Sequence, residues 1–400
     1  MNRSLAVIYL CVALDAMGIG LVFPILPALV RDVAPVADVA PFIGLMASLY
    51  AAMQFVCSPV LGALSDRLGR RPVMLLSLAG ATVNYGLLAC APSLWLLLLG
   101  RAVAGLTSAN LSVATAYLTD VSPEDTRARR FGLFNAMFGA GFILGPVLGG
   151  LLGDHGVRLP FVAAAVLTGV NFVLAWVLLP ESRAPGRGRI DWSALNPLRP
   201  LRQAMASNHQ APLVLTFFIL AATGEAYGIC WALWGADAFH WTGTWIGLSL
   251  GAFGICQTVV QALLPGPAAR VLGERRAVFA GIACACAALA AMAFLQEGWM
   301  VFAVMPLFAL GGIGTPALQA LASRQVDAAS QGQFQGVLAS AVSLASVVAP
   351  LGFAAFYEGV RRDWPGAIWL LVAAVYAVTV PLVVLGTRVS EDVQGSKMSP

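Results

Sequence analysis

Apolar runs long enough to cross a bilayer recur along the whole chain, separated by short breaks that are charged or rich in Gly and Pro. Hydrophobic residues make up 59% of the 400 residues and charged residues only 10%, whereas soluble domains are about a quarter charged. So few charges cannot cover the surface of a water-soluble protein of 41.7 kDa. A soluble enzyme, a nucleic-acid-binding protein and a disordered scaffold are excluded, and the lipid bilayer is the expected surrounding.

The runs predict an all-α integral membrane protein with twelve transmembrane helices, because one span needs about 20 apolar residues. The first run contains Asp15, Pro24 and Pro27 and is too long for the core of a signal peptide, so we expect a retained span. The predicted spans are 5–30, 42–64, 72–91, 94–119, 129–153, 158–180, 211–236, 244–265, 274–296, 299–323, 331–357 and 364–387.

Basic residues set the predicted orientation, because cytoplasmic loops are enriched in Lys and Arg. Most of the 23 basic residues fall in alternate loops. The loops of the opposite side contain only Arg31, Arg158, Arg361 and Arg362. We therefore expect both termini to be cytoplasmic.

The longest polar break, 181–210, follows six spans and divides the chain into two pseudo-symmetric six-helix bundles, as in carriers built from parallel repeats. A Gly- and Arg-rich turn follows the second span at Gly62–Pro72, and a weaker one follows the eighth span at Gly266–Arg276. This repetition indicates duplication. The predicted parts are an N-terminal bundle (1–180), a cytoplasmic linker (181–210), a C-terminal bundle (211–388) and a cytoplasmic tail (389–400).

Three ionisable side chains, Asp15, Arg101 and Glu225, lie inside predicted spans. Each costs about 2.5–3.5 kcal/mol at the bilayer centre, so each needs a reason. In a first interpretation they form structural ion pairs or snorkel to the interface, and Arg101 is the strongest candidate for snorkelling. In a second interpretation they face a water-accessible cavity between the halves. In the second interpretation a carboxyl group loads a proton from one side and releases it to the other, which is the minimum chemistry of proton coupling. Asp15 is the first candidate and Glu225 the second.

Uncharged polar and aromatic side chains are also embedded in the spans. Taken singly, each is more often a helix–helix contact. As a set near mid-membrane depth they predict a binding site for a polar small molecule that contains rings. The candidates are Tyr50, Gln54, Asn84, Asn110, Tyr117, Tyr227, Trp231, Gln257, Gln261 and Gln319.

The turn at 62–72 reads GALSDRLGRRP. Its glycines allow a tight turn, and Asp66 can pair with a cation or with an adjoining helix N-terminus. Arg67, Arg70 and Arg71 can anchor the turn to anionic lipid. A generic basic loop would explain the arginines but not the ordered spacing of Gly, Asp and Arg.

The fifth span carries the pattern Gly-x8-Gly-x3-Gly-Pro-x2-Gly-Gly from Gly132 to Gly150. Small residues at every fourth position, including Gly141 and Gly145, permit close contact between helices. Pro146 bends the helix.

The turn resembles the signature loop of the major facilitator superfamily, and the fifth-span pattern resembles that of its drug–proton antiporters. Nearly the whole chain is similar to the tetracycline efflux antiporters of Gram-negative bacteria. The resemblance implies the major facilitator fold, the inner membrane, and export of a tetracycline-like drug against inward proton flow. No cofactor is implied beyond the proton gradient, a metal ion entering only with the substrate, and no protein partner is evident. The similar segments include 14–21, 24–27, 70–73, 297–299, 311–319 and 331–336.

The resemblance also implies functional roles for Asp15, Asp66, Arg70, Arg101 and Asp120. Of these, Asp66, Arg70 and Asp120 would form a charge cluster that latches the cytoplasmic gate. The predicted gating set is Asp66, Arg67, Arg70, Arg71, Asp120, Gly141, Gly145 and Pro146.

The chain departs from these relatives at several membrane positions. Relatives usually carry an acid at the position of Asn84, a His at Gln257 and an acid at Ala285, and a neutral amide at Glu225. We hypothesise that Glu225 takes over part of the coupling or meets a cationic substrate.

Other functions stay open at this point. The same fold could export a different drug or metabolite, import a nutrient by symport, or act as a receptor that transports nothing. The segment Gly247–Gly251 fits the elbow pattern of hydrolases, but it lies inside an apolar run rather than at a strand-to-helix turn. We expect no enzyme.

Overall fold

The structure is a computed structural model that describes residues 3–34, 38–183, 198–207, 210–324 and 331–386. Within these ranges the chain is helical and has no β-strand. Twelve of the described helices are long and apolar enough to cross a membrane, which confirms the predicted number. These spans are Ser4–Val22, Val39–Leu68, Arg70–Cys90, Leu94–Asp120, Glu124–His155, Leu159–Leu178, Ala211–Phe239, Gly243–Leu263, Glu274–Ala293, Gly298–Ser323, Gln331–Val360 and Ala367–Gly386.

Shorter helices lie between the spans, at Leu26–Val33, Leu198–Met205 and Pro265–Leu272. The predicted tail and most of the predicted linker, 184–197, lie outside the described residues.

The first predicted span, 5–30, was wrong as one helix. The helix Arg3–Val22 ends before Pro24, and Leu26–Val33 follows as a separate helix with a proline in its first turn. A proline inside a helix removes one hydrogen bond and clashes with the preceding turn, whereas in the first turn it is tolerated. The two prolines therefore end one helix and start the next.

Two other predicted spans, 94–119 and 299–323, are interrupted. The fourth span consists of Leu94–Thr107 and Asn110–Asp120, with Ser108 outside the helical conformation. The tenth span passes through a 3₁₀ turn at Gly311–Ile313. Tighter 3₁₀ turns and local breaks often mark functional hinges.

The first compact unit comprises Met1–Asn196 and His240–Gly254. In it the first span packs against the fifth and sixth, and the third packs against the fourth and sixth. Ile8, Leu78, Tyr117 and Phe134 belong to its buried apolar core.

The second compact unit comprises Pro197–Phe239 and Ile255–Pro400. The seventh span packs along the eleventh, and the ninth packs against the tenth and twelfth. Leu213, Val278, Leu318 and Leu338 belong to its core.

Glycines of the fifth span bring the first span into backbone contact. A Cβ at Gly141 would overlap the carbonyl of Ala13, and one at Gly145 would lie 2.7 Å from the carbonyl oxygen of Met17. These two carbonyls flank Asp15 in the chain. The close packing of small residues, which is a known route to tight helix pairs in membranes, thus fixes the backbone that carries Asp15.

The N-terminal half of the eighth span packs on another face of the fifth span. A Cβ at Gly150 would overlap Gly243. The Asp154 carboxylate accepts the backbone N–H groups of Gly243 at 2.8 Å and Thr244 at 3.0 Å, which caps that helix. The predicted bundle boundary therefore differs from the compact units, because His240–Gly254 joins the first unit.

Candidate functional site

Asp15 lies within the first span and is partly exposed. Asn110, the first residue of the second part of the fourth span, lies beside its carboxylate, and no described cation forms an ion pair with it. Arg101 therefore does not pair with Asp15. A carboxyl group held by backbone packing but free of a cation can gain or lose a proton without breaking an ion pair.

Arg101 lies over the ring of Tyr50, with 4.7 Å between the guanidinium carbon and the ring centroid. This cation–π contact holds the guanidinium against the second span. Gly105, one turn further on, permits the approach, because a Cβ there would lie 2.5 Å from the carbonyl oxygen of Tyr50 and 2.6 Å from Met53.

The break in the fourth span exposes Ser108 to the second span. Its hydroxyl lies 2.6 Å from the Tyr50 hydroxyl and accepts the Gln54 amide at 2.9 Å. Tyr50 and Gln54 are thereby joined to the fourth span, next to Arg101. The structure thus brings three of the predicted site residues together.

Several buried polar atoms near these residues have no hydrogen-bond partner among the described residues. They are Asn84 Oδ1, Arg101 Nε and both amide atoms of Asn110. A Cβ at Gly100 would lie 3.3 Å from Asn84 Oδ1, which places Asn84 beside the residue that precedes Arg101. Buried polar groups are nearly always hydrogen-bonded. A concentration of unpaired ones beside Asp15 and Arg101 indicates a place where a polar ligand or water binds.

We name this arrangement the N-bundle polar site, formed by Asp15, Tyr50, Gln54, Asn84, Arg101, Ser108 and Asn110. Sequence reasoning missed Ser108, because the sequence around it contains no proline that would mark a break in the helix. It also missed Tyr85, which lies near Gly18 of the first span and within electrostatic reach of Asp15 and Arg101.

Tyr117 and Trp231 were expected at a binding surface, and the structure places both in the core. Tyr117 is fully buried and donates its hydroxyl to the Pro180 carbonyl at 3.0 Å. Trp231 is 1% exposed and packs against Trp234 and Trp369. Neither ring offers a surface to a solute in this conformation.

The remaining predicted residues lie in the second unit, away from the N-bundle polar site in the chain. Tyr227 packs on Trp231, with ring centroids 4.6 Å apart. Gln261 donates to the Gly312 carbonyl at 3.3 Å, and Gln257 packs against the same glycine. Gln319 is exposed. The two glutamines thus line the 3₁₀ interruption of the tenth span.

Glu225 also lies in the second unit. Its carboxylate accepts a hydrogen bond from the Ser346 hydroxyl of the eleventh span at 2.6 Å.

A charge cluster surrounds Arg70 at the end of the second span. The guanidinium contacts Asp66 at 2.7 Å and Asp120 at 3.0 Å, and donates to the Ser65 hydroxyl at 2.6 Å. Arg70 is buried, with 8% of its side chain exposed. The cluster joins the second, third and fourth spans of the first unit, which is the contact that the resemblance implies for Asp66, Arg70 and Asp120.

Glu181 completes this cluster and was missed by sequence reasoning, which assigned it to the linker. Its carboxylate accepts the backbone N–H groups of Arg70 at 2.8 Å and Arg71 at 3.1 Å. An acidic group at a helix N-terminus satisfies free N–H groups and complements the helix dipole. The Arg71 side chain contacts the Trp176 carbonyl, while Arg67 is exposed.

Metal ligands are not grouped in the described parts of the chain, where no three His, Cys, Asp or Glu side chains are placed to hold an ion.

Comparisons with known proteins agree with this architecture. The chain matches the Major Facilitator Superfamily over residues 8–229 and 213–398. It is 47% identical to the class C tetracycline resistance protein of Escherichia coli, over 95% of this chain and 96% of that protein. It is 43% identical to the class G tetracycline resistance protein of Vibrio anguillarum, over 96% and 97%.

Among solved structures, the fold is similar to that of the human organic anion transporter MFSD10. The TM-score is 0.69 at 22% identity, and the match covers 95% of this chain and 99% of that one. At this identity the likeness shows the fold alone.

Proposed function

Because the chain belongs to the Major Facilitator Superfamily and within it to the tetracycline resistance proteins, we propose that it exports a tetracycline from the cytoplasm in exchange for protons. It is a multi-pass membrane transporter and not an enzyme. It lies in the inner membrane with both termini in the cytoplasm, as the distribution of Arg and Lys supports. A metal ion takes part only as a component of a chelated drug, and the chain acts without an obligate protein partner.

The observation that carries the proposal is the carboxyl group of Asp15 inside the first span, which forms no ion pair with a described cation. Protonated from the outer side, it is neutral and stable in a dry environment. Reopening towards the cytoplasm hydrates the group and releases the proton there, since ionised side chains are costly in hydrocarbon. Drug occupancy drives the return. Proton entry is thereby coupled to drug exit, and no covalent bond changes.

The N-bundle polar site is suited to the drug. A tetracycline is a flat, four-ring molecule with hydroxyl and carbonyl oxygens along one edge. Arg101 Nε and Asn110 Nδ2 supply hydrogen-bond donors to such oxygens, and Asn84 Oδ1 and Asn110 Oδ1 accept from hydroxyl groups. The Tyr50 ring gives a face for stacking on the opposite side from Arg101.

The Arg70 cluster forms the cytoplasmic gate. Its ion pairs join three spans of the first unit, so their making and breaking biases one conformation over another. Arginine suits this role because its planar fork binds two carboxylates at once. Gly141, Gly145 and Pro146 act indirectly, because their packing against the first span fixes the position of its backbone.

The test is tetracycline resistance of cells that express the chain, together with proton-driven drug uptake by everted membrane vesicles. We expect Asp15→Asn, which keeps size and polarity but cannot exchange a proton, to abolish both. The matched control is Asp32→Asn, because Asp32 forms an exposed ion pair with Arg158 and has no part in the site. Asp15→Asn vesicles that concentrate tetracycline as steeply as the parent would disprove the proposal.

A further inference from the structure

Glu225 occupies the middle of the seventh span. The helix Ala211–Phe239 has 29 residues, and position 225 is its midpoint. At 1.5 Å per residue, the carboxyl-bearing residue lies about 21 Å from either end of the helix, in the central part of a hydrocarbon core about 30 Å thick. It is partly exposed. A carboxyl group at this depth is costly and marks a functional site by default.

The partner of Glu225 is equally central. Ser346 lies at the middle of the 30-residue eleventh span, Gln331–Val360, and its hydroxyl donates to Glu225 Oε1 at 2.6 Å. No described Arg or Lys forms an ion pair with Glu225, and Ser346 is its only described hydrogen-bond partner. The two spans that pack most closely in the second unit are therefore bonded at their centres by a carboxylate and a neutral hydroxyl.

A serine hydroxyl serves both protonation states of a carboxyl group, because it can donate or accept. With Glu225 ionised, Ser346 donates to it. With Glu225 protonated, the carboxyl O–H donates to Ser346 Oγ, and the serine proton turns to the Val342 carbonyl, which already lies 3.3 Å away. Neither state leaves a buried polar group unsatisfied, and neither requires the backbone to move.

Other titratable groups on the seventh span and its neighbours lie at different depths. Asp237, Tyr357, Glu358 and Arg361 form a network at the outer end, with Arg361 bound to Asp237 at 3.0 Å and to Glu358 at 3.3 Å. Asp237 is twelve residues from Glu225, about 18 Å along the helix. The others are Tyr227, Cys230, Tyr376 on the twelfth span and Arg202 on the short helix Leu198–Met205. None of them forms a hydrogen bond or ion pair with Glu225 in the described part of the chain.

We propose that Glu225, held by Ser346, is a second proton-binding site, so that each cycle carries one proton through the second unit besides the proton carried by Asp15. This inference rests on the proposed function. It assigns to the exchanger a stoichiometry of two protons for each drug molecule.

The experiment is a null-point measurement on the purified full chain in proteoliposomes, with tetracycline as the probe and the membrane potential clamped at zero. At the null point the drug gradient balances the imposed pH gradient. Each coupled proton changes the balancing drug ratio about tenfold for every pH unit, which corresponds to about 1.4 kcal/mol. We expect Glu225→Gln to transport with a null-point ratio about tenfold lower per pH unit than the parent. The drug's own ionisation cancels in this comparison.

Three outcomes of this experiment distinguish a failure of the proposed function from a failure of the second proton site. A parent protein that shows no proton-driven tetracycline transport overturns the proposed function. A parent that transports while Glu225→Gln keeps the parental null point overturns only the second proton site. If Glu225→Gln does not fold, the parent decides alone, after correction for drug ionisation measured in buffer: a ratio of about a hundredfold per pH unit supports two protons and about tenfold overturns them.

Ser346 is a positioning residue in this scheme. Ser346→Ala leaves Glu225 able to bind a proton, so we expect an unchanged null point and a transport rate several-fold lower. Ser346→Thr, which keeps the hydroxyl, restores the rate. The matched control is Ser340→Ala on the same helix, because Ser340 donates only to the Gly336 carbonyl of its own helix. A parental rate in Ser346→Ala would overturn the role of Ser346.

Discussion

The two turns at Gly62–Pro72 and Gly266–Arg276 occupy corresponding places in the two halves, and their backbones agree closely. Gly69 has φ 103° and ψ 161°, and Gly273 has φ 80° and ψ 154°. Each glycine directly precedes a span. This region of backbone space is accessible essentially to glycine alone. The duplicated turn has therefore kept its geometry.

The surroundings of the two glycines differ. A Cβ at Gly69 would overlap the Glu181 carboxylate, whereas no described atom lies within 4 Å of the Cβ position at Gly273. Arg70 is buried between two acids, whereas Glu274 of the second turn pairs with an exposed arginine from outside the turn, Arg324, at 2.6 Å. The backbone of the turn is thus similar in both halves, whereas the buried arginine held by two acids is a feature of the first turn.

The strongest test of this contrast is alanine at each glycine. Both variants force a residue with a Cβ into a conformation that costs about 1–3 kcal/mol. Gly69→Ala also displaces Glu181 from the N-terminus of the third span, which adds about 0.5–2 kcal/mol. We expect Gly69→Ala to lose most transport and to melt clearly below Gly273→Ala in detergent. Equal melting temperatures would show that the Glu181 contact contributes nothing.

Next in size is the loss of the guanidinium fork at Arg70. In Arg70→Lys one ammonium group replaces the fork and cannot reach Asp66, Asp120 and Ser65 together. A lost hydrogen bond to a charged group costs about 1.5–3 kcal/mol. We expect drug transport to fall at least tenfold. The counterpart is Arg324→Lys, because Arg324 pairs with Glu274 of the second turn and its side chain is 66% exposed. Such a pair contributes about 0–1 kcal/mol, so we expect the transport rate of this variant to stay within twofold of the parent.

A smaller effect is expected from removing the cap on the third span. Glu181→Ala leaves the N–H groups of Arg70 and Arg71 without their acceptor, at a cost of about 0.5–2 kcal/mol. Thermal unfolding in detergent measures it. Glu297→Ala is the matched control, because Glu297 precedes the tenth span without making a capping hydrogen bond. A control variant as unstable as Glu181→Ala would mean that any acidic residue before a span has the same effect.

Sequence alone predicted the number of spans and the charged turn at 62–72, because hydrocarbon thickness and the positive-inside rule leave strong one-dimensional signals. The break after Val22 also had a signal in Pro24, which the predicted span 5–30 ignored. The break at Ser108 had none, since neither Pro nor a pair of glycines marks it.

Side-chain roles were harder to predict than helices. Tyr117 and Trp231 are residue types that are common in binding sites, yet both lie in the core. Aromatic rings with a polar atom serve packing as well as recognition, so the residue type alone does not distinguish the two roles. Glu181 is separated from Arg70 by 111 positions, and only tertiary structure brings the two together. Asn84 and Arg101 were candidates from the sequence, but only the structure shows that each has a buried polar atom without a hydrogen-bond partner among the described residues.

The smallest effect is expected at Arg183, and it tests whether the exposed ion pair of the first turn matters as much as the buried one. Arg183 contacts Asp66 at 2.8 Å, but both side chains are about half exposed, at 49% and 54%. Exposed pairs contribute about 0–1 kcal/mol and weaken with salt. We expect Arg183→Ala to transport at nearly the parental rate, with a difference that vanishes at high ionic strength. The buried ion pair of Asp66 with Arg70 is kept in this variant. A loss of transport comparable to that of Arg70→Lys would place the latch at the surface of the turn instead of in its buried core.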